Sequence, residues 1–259
     1  MSPRLVSRRG LIARGAAGLG GLLLSGCDRL SHAPSFQHFI GRAEGLSMGS
    51  QRLLLEGQPL APEFKPSNLS PIFRANGSTM PASPHYQDLM ASGFADYRLV
   101  VDGLVGQPLS LSLAQLKAMP ARTQITRHDC VEGWSAIGQW TGVPLARILA
   151  LARPLAPARY VVFHCADNLG GGLDESGLYY ESIDLFDAFH PQTILAWALN
   201  GQPLEVSHGA PLRLRVERQL GYKQAKYIMR IELANRMDQL GRGKGGFWED
   251  RGYAWYAGI

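Results

Sequence analysis

Apolar and polar positions alternate in short bursts along this chain, and those bursts mark its predicted strands. YRLVVDGLVG (97–106) reads as a strand closing on an Asp-Gly turn. TQIT (123–126) predicts a strand running into Cys130, and RYVVFHCAD (159–167) a strand with a polar end. PLRLRV (211–216) alternates as a half-buried strand does, and KYIMRIEL (226–233) is another. Helical spacing appears in SLAQLKAMP (112–120), where Ser112 can cap, Gln115 can close a capping box and Pro120 stops the run. VPLARILALA (143–152) is also helical. A glycine turn at 170–172 leads into YYESIDLFDAF (179–189), and QTILAWALNGQPL (192–204) fits a helix or a strand pair ended by an Asn-Gly turn. Pro59, Pro62, Pro66, Pro71, Pro81 and Pro84 leave no long helix or inner strand over 57–84, so that stretch is predicted to be extended, wrapping a core or lining a site. Short strands mixed with short helices, without a regular βα period, predict an α+β fold.

The first residues follow a different pattern. Arg4, Arg8, Arg9 and Arg14 precede a short run of small and apolar residues from Ala16 to Leu24. That run is too short to cross about 30 Å of hydrocarbon as a helix. Residues 1–26 therefore read as an export signal and stand outside the fold. The pair in SRRGLI resembles a twin-arginine signal, a route for proteins folded before they cross. LLSGC resembles a lipobox, which makes Cys27 the expected lipidation site; the alternative is a soluble protein cut nearby. Residues 27–56 are expected to be a lipidated tether, polar and glycine-containing over 28–50, and 57–259 the functional domain. The expected location is the periplasmic face of a bacterial inner membrane.

Removing 1–26 changes the charge argument. The whole chain carries 26 basic and 21 acidic residues, and the signal holds four arginines and no acid. The remaining 233 residues carry 22 basic against 21 acidic, so the apparent basicity belongs to the signal. With no arginine-rich tail, nucleic acid is not an expected partner. An apolar content of 46% supports a packed core.

Two cysteines remain after Cys27. Cys130 sits in TRHDCVEGW, beside Arg127, His128, Asp129 and Glu132, and Cys165 sits on an apolar strand. Their spacing is not that of a zinc site, and no CxxCH signals covalent haem. From its residues alone Cys130 stands open as a core thiol, half of a disulfide, a nucleophile or a metal ligand. Polar clusters fall at other strand ends: Arg74 and Asn76 in FRANGSTMP, Asp167 and Asn168 in FHCADN, and Tyr179 in YYESI. SHGAPLRLRVERQLGYKQAKYI adds His208, Arg213, Lys223 and Lys226. A glycine and a proline fixing the backbone around His and Arg suit an anion such as phosphate. The late aromatics Phe247, Trp248, Tyr253, Trp255 and Tyr256 fit core closure or a docking face.

DCVEGWSAIGQWTGVPLARIL, ILAWALNGQPLEVSHGAPLRLRV and LGYKQAKYIMRIEL together resemble the sulfite oxidase family of molybdopterin-dependent oxidoreductases, especially its exported bacterial members. The resemblance covers about residues 70–235. It implies a single molybdopterin-binding domain of mixed sheets and short helices, without the added dimerisation domain of the animal and plant enzymes, and a monomer. It implies that Cys130 binds molybdenum beside the pterin dithiolene. It places His208 and Arg213 on the pterin phosphate side, with Gln224, Ala225 and Lys226 in a phosphate-gripping loop. Arg74 and Asn76 resemble the polar segment that approaches the cofactor, and Tyr179 resembles an active-site tyrosine. Arg127 and His128 are expected to add positive charge near the thiolate, and Asp129 and Glu132 to orient neighbours. WSAIGQW lacks the family's sulfite-binding arginines, which turns the expected substrate toward S-oxides or N-oxides. The expected electron partner is a c-type cytochrome or a haem-containing membrane protein. The competing readings are sulfite-like oxidation, a metal-free lipoprotein serving as a binding or assembly module, and a dithiol protein using Cys130 and Cys165.

Overall fold

In the computed structural model, residues 33–170 and 177–259 are described, and the chain divides into two units, 1–55 and 56–259. The export signal, Cys27 and most of the 170–172 glycine turn lie outside the described residues. The described part of the first unit is one helix, α1 (Pro34–Leu54). The tether expected over 27–56 is helical across these residues. Each glycine costs about 1 kcal/mol in a helix, but no proline interrupts the run, and Pro34 stands at the start, where its missing N–H is no loss. Among the described residues no helix is long and apolar enough to cross a membrane.

The second unit is built on two sheets. Leu99 and Val101 bury one face of β1 (Arg98–Gly103), as its alternation predicts. β1 pairs with β2 (Leu109–Ser112) on one side and, in parallel, with β10 (Ile228–Ala234) on the other. The order continues through β5 (Tyr160–Asn168) to β6 (Leu178–Asp184), both antiparallel. The second sheet runs β3 (Arg122–Asp129), β4 (Ser135–Pro144), β7 (Ile194–Leu199) and β8 (Gln202–Pro203), with β9 (Arg213–Arg215) also on β7. Residues 192–204 are thus a strand pair, not a helix. Helices are few and short: α2 (Pro84–Ala91), α3 (Leu113–Ala118), α4 (Leu145–Ala152) and α5 (Leu185–Ala188). Ser112 and Gln115 form the expected capping box on α3.

Both sheets feed one core. Leu99, Val101, Phe163 and Ile231 from the first meet Val143, Leu195 and Leu214 from the second, and α4 adds Leu145, Ile148 and Leu149. β4 has no counterpart among the predicted strands, because its glycines and final proline read as breakers. Gly142 is required by a close approach: a Cβ there would lie 2.1 Å from the Leu195 carbonyl oxygen of β7. β9 corrects another expectation. Its alternation suggested a half-buried strand, but Arg213, Leu214 and Arg215 are all buried. The two guanidinium groups lie over the ring of Trp140, 4.8 and 4.4 Å from its centroid. Arg215 also forms a two-bond pair with Glu217, at 3.0 and 2.6 Å.

The topology gathers three strand ends. Cys165 at the end of β5 is in register with Ile228 at the start of β10, and Asn168 with Leu178 at the start of β6. The residues just beyond these ends line one cavity.

Candidate active site

Cys130 immediately follows β3. Its N–H donates to the Trp134 carbonyl at 2.9 Å, and its own carbonyl accepts from Gly133 N–H at 3.0 Å, so a tight turn presents the thiol. Burial, with the Glu132 carboxylate close by, raises the thiol above its ordinary pKa. The neighbours are already committed elsewhere. Arg127 is exposed and donates to Asp129 at 2.9 Å; Asp129 also accepts from Ser135 at 2.5 Å. Glu132 accepts from Trp134 Nε1 at 3.1 Å. His128 is fully buried, and Arg215 Nη1 donates to its Nδ1 at 3.1 Å. Burial and the charges of Arg215 and Arg213 drive its pKa well down, so the ring is neutral. The expected positive charge from Arg127 and His128 is therefore not supplied: one is spent at the surface and the other is uncharged.

A cavity of about 150 Å³ opens at the thiol. Asn76, Cys130, Tyr179, Gln224 and Lys226 line it, so five of the sequence-predicted positions come together. Asn76 Oδ1 and Gln224 Oε1 are buried without a hydrogen-bond partner. Tyr179 contributes its ring, because its hydroxyl already donates to the Tyr222 carbonyl. Lys226 is almost wholly buried, its ammonium held by the carbonyls of Asn76 (2.7 Å), Ser78 and Ser207 (3.0 Å). Burial, and then the charge of Arg213, lower it to about 7.

The other predicted positions stand apart from this cavity. Arg213 is fully buried; Nη1 donates to the His208 carbonyl at 3.0 Å, while Nε and Nη2 have no hydrogen-bond partner. Burial, with Arg215 next, lowers it to about 9. His208 holds the loop instead of facing the cavity: Nε2 donates to the Phe73 carbonyl at 3.0 Å. Gly209 packs Lys226 and Arg213 together. Its φ is +106°, and a Cβ there would lie 2.9 Å from Lys226 Cβ and 3.2 Å from Arg213 Cβ. Ala225 is buried in the main core and its carbonyl accepts from Leu214 N–H at 2.8 Å. Arg74 is exposed and lines none of the described pockets.

Asp167, Tyr222, Trp248 and Tyr253 extend the cavity wall beyond the site residues that the resemblance implies. Asp167, at the polar end of β5, is 4% exposed, and its Oδ1 has no hydrogen-bond partner. Burial raises it from 3.8 to about 6 against the opposing pull of Lys226. The "AD" following an apolar strand was the available signal, and it reads equally as a turn cap. Tyr222, Trp248 and Tyr253 supply an aromatic side. Trp248 and Tyr253 come from the late aromatic cluster, and Trp248 also packs against the main core, as core closure predicts. Lys223 points the other way, into a buried pair of carboxylates. Cys130 and Cys165 are both free thiols, and Cys165 is packed in the core.

Among the described residues no three His, Cys, Asp or Glu side chains group closely enough to hold a metal ion. A metal at Cys130 would therefore need a group that brings its own donors. The residues present fit such a group. They offer one soft thiol and uncommitted acceptors on Asn76, Asp167 and Gln224; the unpartnered donors of Arg213 lie behind the cavity wall, outside its lining.

Residues 86–240 match the family described as oxidoreductase molybdopterin binding domain. A protein of Azospira oryzae, provisionally named protein-methionine-sulfoxide reductase subunit YedZ1, is 41% identical over 199 residues, covering 75% of this chain and 70% of that one. The protein-methionine-sulfoxide reductase catalytic subunit MsrP of Xanthomonas campestris pv. campestris is 39% identical over 148 residues, 54% of this chain and 45% of its own. This chain thus spans less than half the length of the Xanthomonas relative. Among solved structures, the sulfane dehydrogenase SoxCD from Paracoccus pantotrophus aligns with a TM-score of 0.47 at 24% identity, over 55% of this chain and 39% of that one.

Proposed function

The chain belongs to the oxidoreductase molybdopterin-binding family, and from that premise we propose that it reduces S-oxides by two-electron oxygen-atom transfer. The observation that carries the reading is the cavity that unites Cys130 with Asn76, Asp167, Gln224 and Lys226. The names of its relatives add protein-methionine sulfoxide as the substrate to test first.

Cys130 would be the protein ligand to molybdenum, with Asn76, Gln224, Lys226 and Arg213 holding the pterin and its phosphate. When bound, the cofactor supplies the redox chemistry, and the protein supplies binding, orientation and electrostatics. Ligation requires the thiolate, so the raised Cys130 thiol releases its proton on loading. Reduction of an S-oxide consumes two electrons and two protons and yields a thioether and water. Asp167 is suited to hold one of those protons at a carboxylate oxygen, since it is buried on the cavity wall and titrates near 6. Tyr222, Trp248 and Tyr253 give the cavity an aromatic lining. The electrons would come from a haem-containing redox partner. The N-terminal segment supports export by the twin-arginine route and a lipid anchor at Cys27, facing the periplasm.

The test is metal and activity together. Protein from cells that make the cofactor should contain molybdenum stoichiometric with the chain and reduce methionyl sulfoxide with a reduced dye. Cys130→Ala should lose both while keeping the thermal transition of the cofactor-free wild-type protein. Folded, metal-free wild-type protein would sink the proposal.

A further inference from the structure

We propose that the C-terminal segment 246–255 is the specificity element of this site, shaped for a methionyl S-oxide side chain, and that buried Lys223 is the residue that positions it. The inference rests on the S-oxide reading and deepens it.

The aromatic side of the cavity is a connected stack. Trp248 and Tyr253 are stacked at 5.4 Å, and Tyr222 meets Tyr253 edge-on at 5.1 Å. Tyr222 also donates through its hydroxyl to the Ala254 carbonyl at 2.7 Å. Phe247 continues the stack behind the wall and contacts Tyr179 at 5.6 Å. Tyr253 is 41% exposed, so this stack runs from the cavity out to solvent. The same cavity is lined by Asp167, whose carboxyl Oδ1 has no hydrogen-bond partner, so it has a polar part beside its aromatic one. A thioether S-oxide has the same division, with an apolar methyl and stem against a polar S–O group. Polarisable sulfur next to aromatic rings is a favourable contact. A wall that reaches solvent admits a side chain still attached to a peptide.

Segment 246–255 contributes no strand to either sheet; one backbone bond, from Phe247 N–H to the Tyr180 carbonyl at 2.9 Å, ties it to β6, and the rest of its placement comes largely from side chains. Lys223 Nζ is fully buried and donates to Glu181 at 2.5 Å and to Glu249 at 2.6 Å. Glu181 lies on β6 two residues after Tyr179, Lys223 follows Tyr222, and Glu249 follows Trp248. One ammonium therefore ties together three elements that line the cavity. Gly246 lets the segment close on this cluster: a Cβ there would lie 2.0 Å from Glu249 Oε2 and 2.8 Å from Glu181 Oε1. Trp255 Nε1 adds a bond to Ser182 Oγ at 2.9 Å. Burying one cation between two carboxylates is a poor way to gain stability, because desolvation opposes the attraction. Its return is a fixed geometry, here the position of Trp248 and Tyr253.

The experiment uses the molybdenum-loaded full chain, a short methionyl-sulfoxide peptide and dimethyl sulfoxide. Tyr253→Ala should raise KM for the peptide about 10-fold, the equivalent of one sulfur–aromatic contact of about 1.4 kcal/mol. The rise should be several times larger than for dimethyl sulfoxide, which is too small to reach the outer wall. Lys223→Met should give the same peptide-selective KM rise, together with a red-shifted tryptophan emission and faster proteolysis of the C-terminal segment. Glu249→Gln keeps the shape of the cluster and gives the same direction if Lys223→Met does not fold. Equal losses on the two substrates, or an unchanged peptide KM in Tyr253→Ala, overturn the inference. Peptide binding followed by tryptophan fluorescence reads the wall without turnover. A loaded enzyme that binds the peptide through Tyr253 but reduces nothing overturns the reductase reading alone.

Discussion

Asp167→Asn isolates the energetic consequence of placing a carboxyl on the cavity wall. Asp167 is 4% exposed with one oxygen lacking a partner, and burial raises its pKa from 3.8 to about 6. A rise of this kind means that the fold binds more protons than the unfolded chain between those two values. Stability then falls as pH climbs from about 3.8 through about 6, and the full penalty is present above that. At about 1.4 kcal/mol per pH unit the penalty is about 3 kcal/mol. Asparagine has nearly the same shape and does not ionise. The variant should therefore be more stable than wild type by about 3 kcal/mol at pH 8, with the gain fading toward pH 4. For a domain of this size that is a rise in Tm of roughly 6 to 12 °C. The assay is denaturant unfolding across that pH range on protein produced without cofactor, so that ligand binding adds nothing to stability. The other charged or titratable groups around Asp167 are Lys226, Tyr86, Tyr227, Tyr179 and Cys165; of these Lys226 titrates within the range, and loss of the Asp167 charge lowers it further, which adds to the fading of the gain toward low pH. A gain that is the same at both ends of the pH range refutes the reasoning, and so does no gain at all. In loaded enzyme the same variant should lose the fall of kcat as pH rises through about 6, because the group assigned to hold the proton is gone.

Gly209→Ala should lower the stability of the cofactor-free protein by about 1–3 kcal/mol, since φ is +106° and the new Cβ meets Lys226 at 2.9 Å; a thermal melt reads the loss, and molybdenum content should fall with it. Arg213→Met should behave differently. Removing a buried guanidinium with two unpartnered donor atoms should leave the cofactor-free protein as stable as wild type or more so, while molybdenum retained through purification drops sharply.

How much of this was legible in the sequence depended on whether a feature was local. The strand running into Cys130 was readable because its apolar and β-branched residues lie within a few positions of one another. The capping box of α3 was readable for the same reason. β4 was not, because Gly142 marks a tertiary approach to β7 that single-sequence pattern reads as a break. The aromatic wall was visible only as an unexplained cluster, since its partner Tyr222 lies some thirty residues earlier.

Arg213 and Arg215 show where the reading of a pattern stops and packing takes over. In PLRLRV a period of two assigns Leu212, Leu214 and Val216 to the core, which is correct, and both arginines to solvent, which is not. The reason is Trp140, whose ring is covered by the two guanidinium groups and whose strand also carries Gly142. Arg215 repays its burial within the protein, through Glu217 and His128. Arg213 does not: its one hydrogen bond goes to the His208 carbonyl, and two donor atoms remain unsatisfied. Two arginines in one strand thus differ in whether the fold completes them. A buried donor left unmade costs about 1–3 kcal/mol, and an anionic group bound beside Arg213 would remove that cost. The contrast separates the two arginines by what each leaves unpaired, a distinction that their identical places in the alternation could not supply.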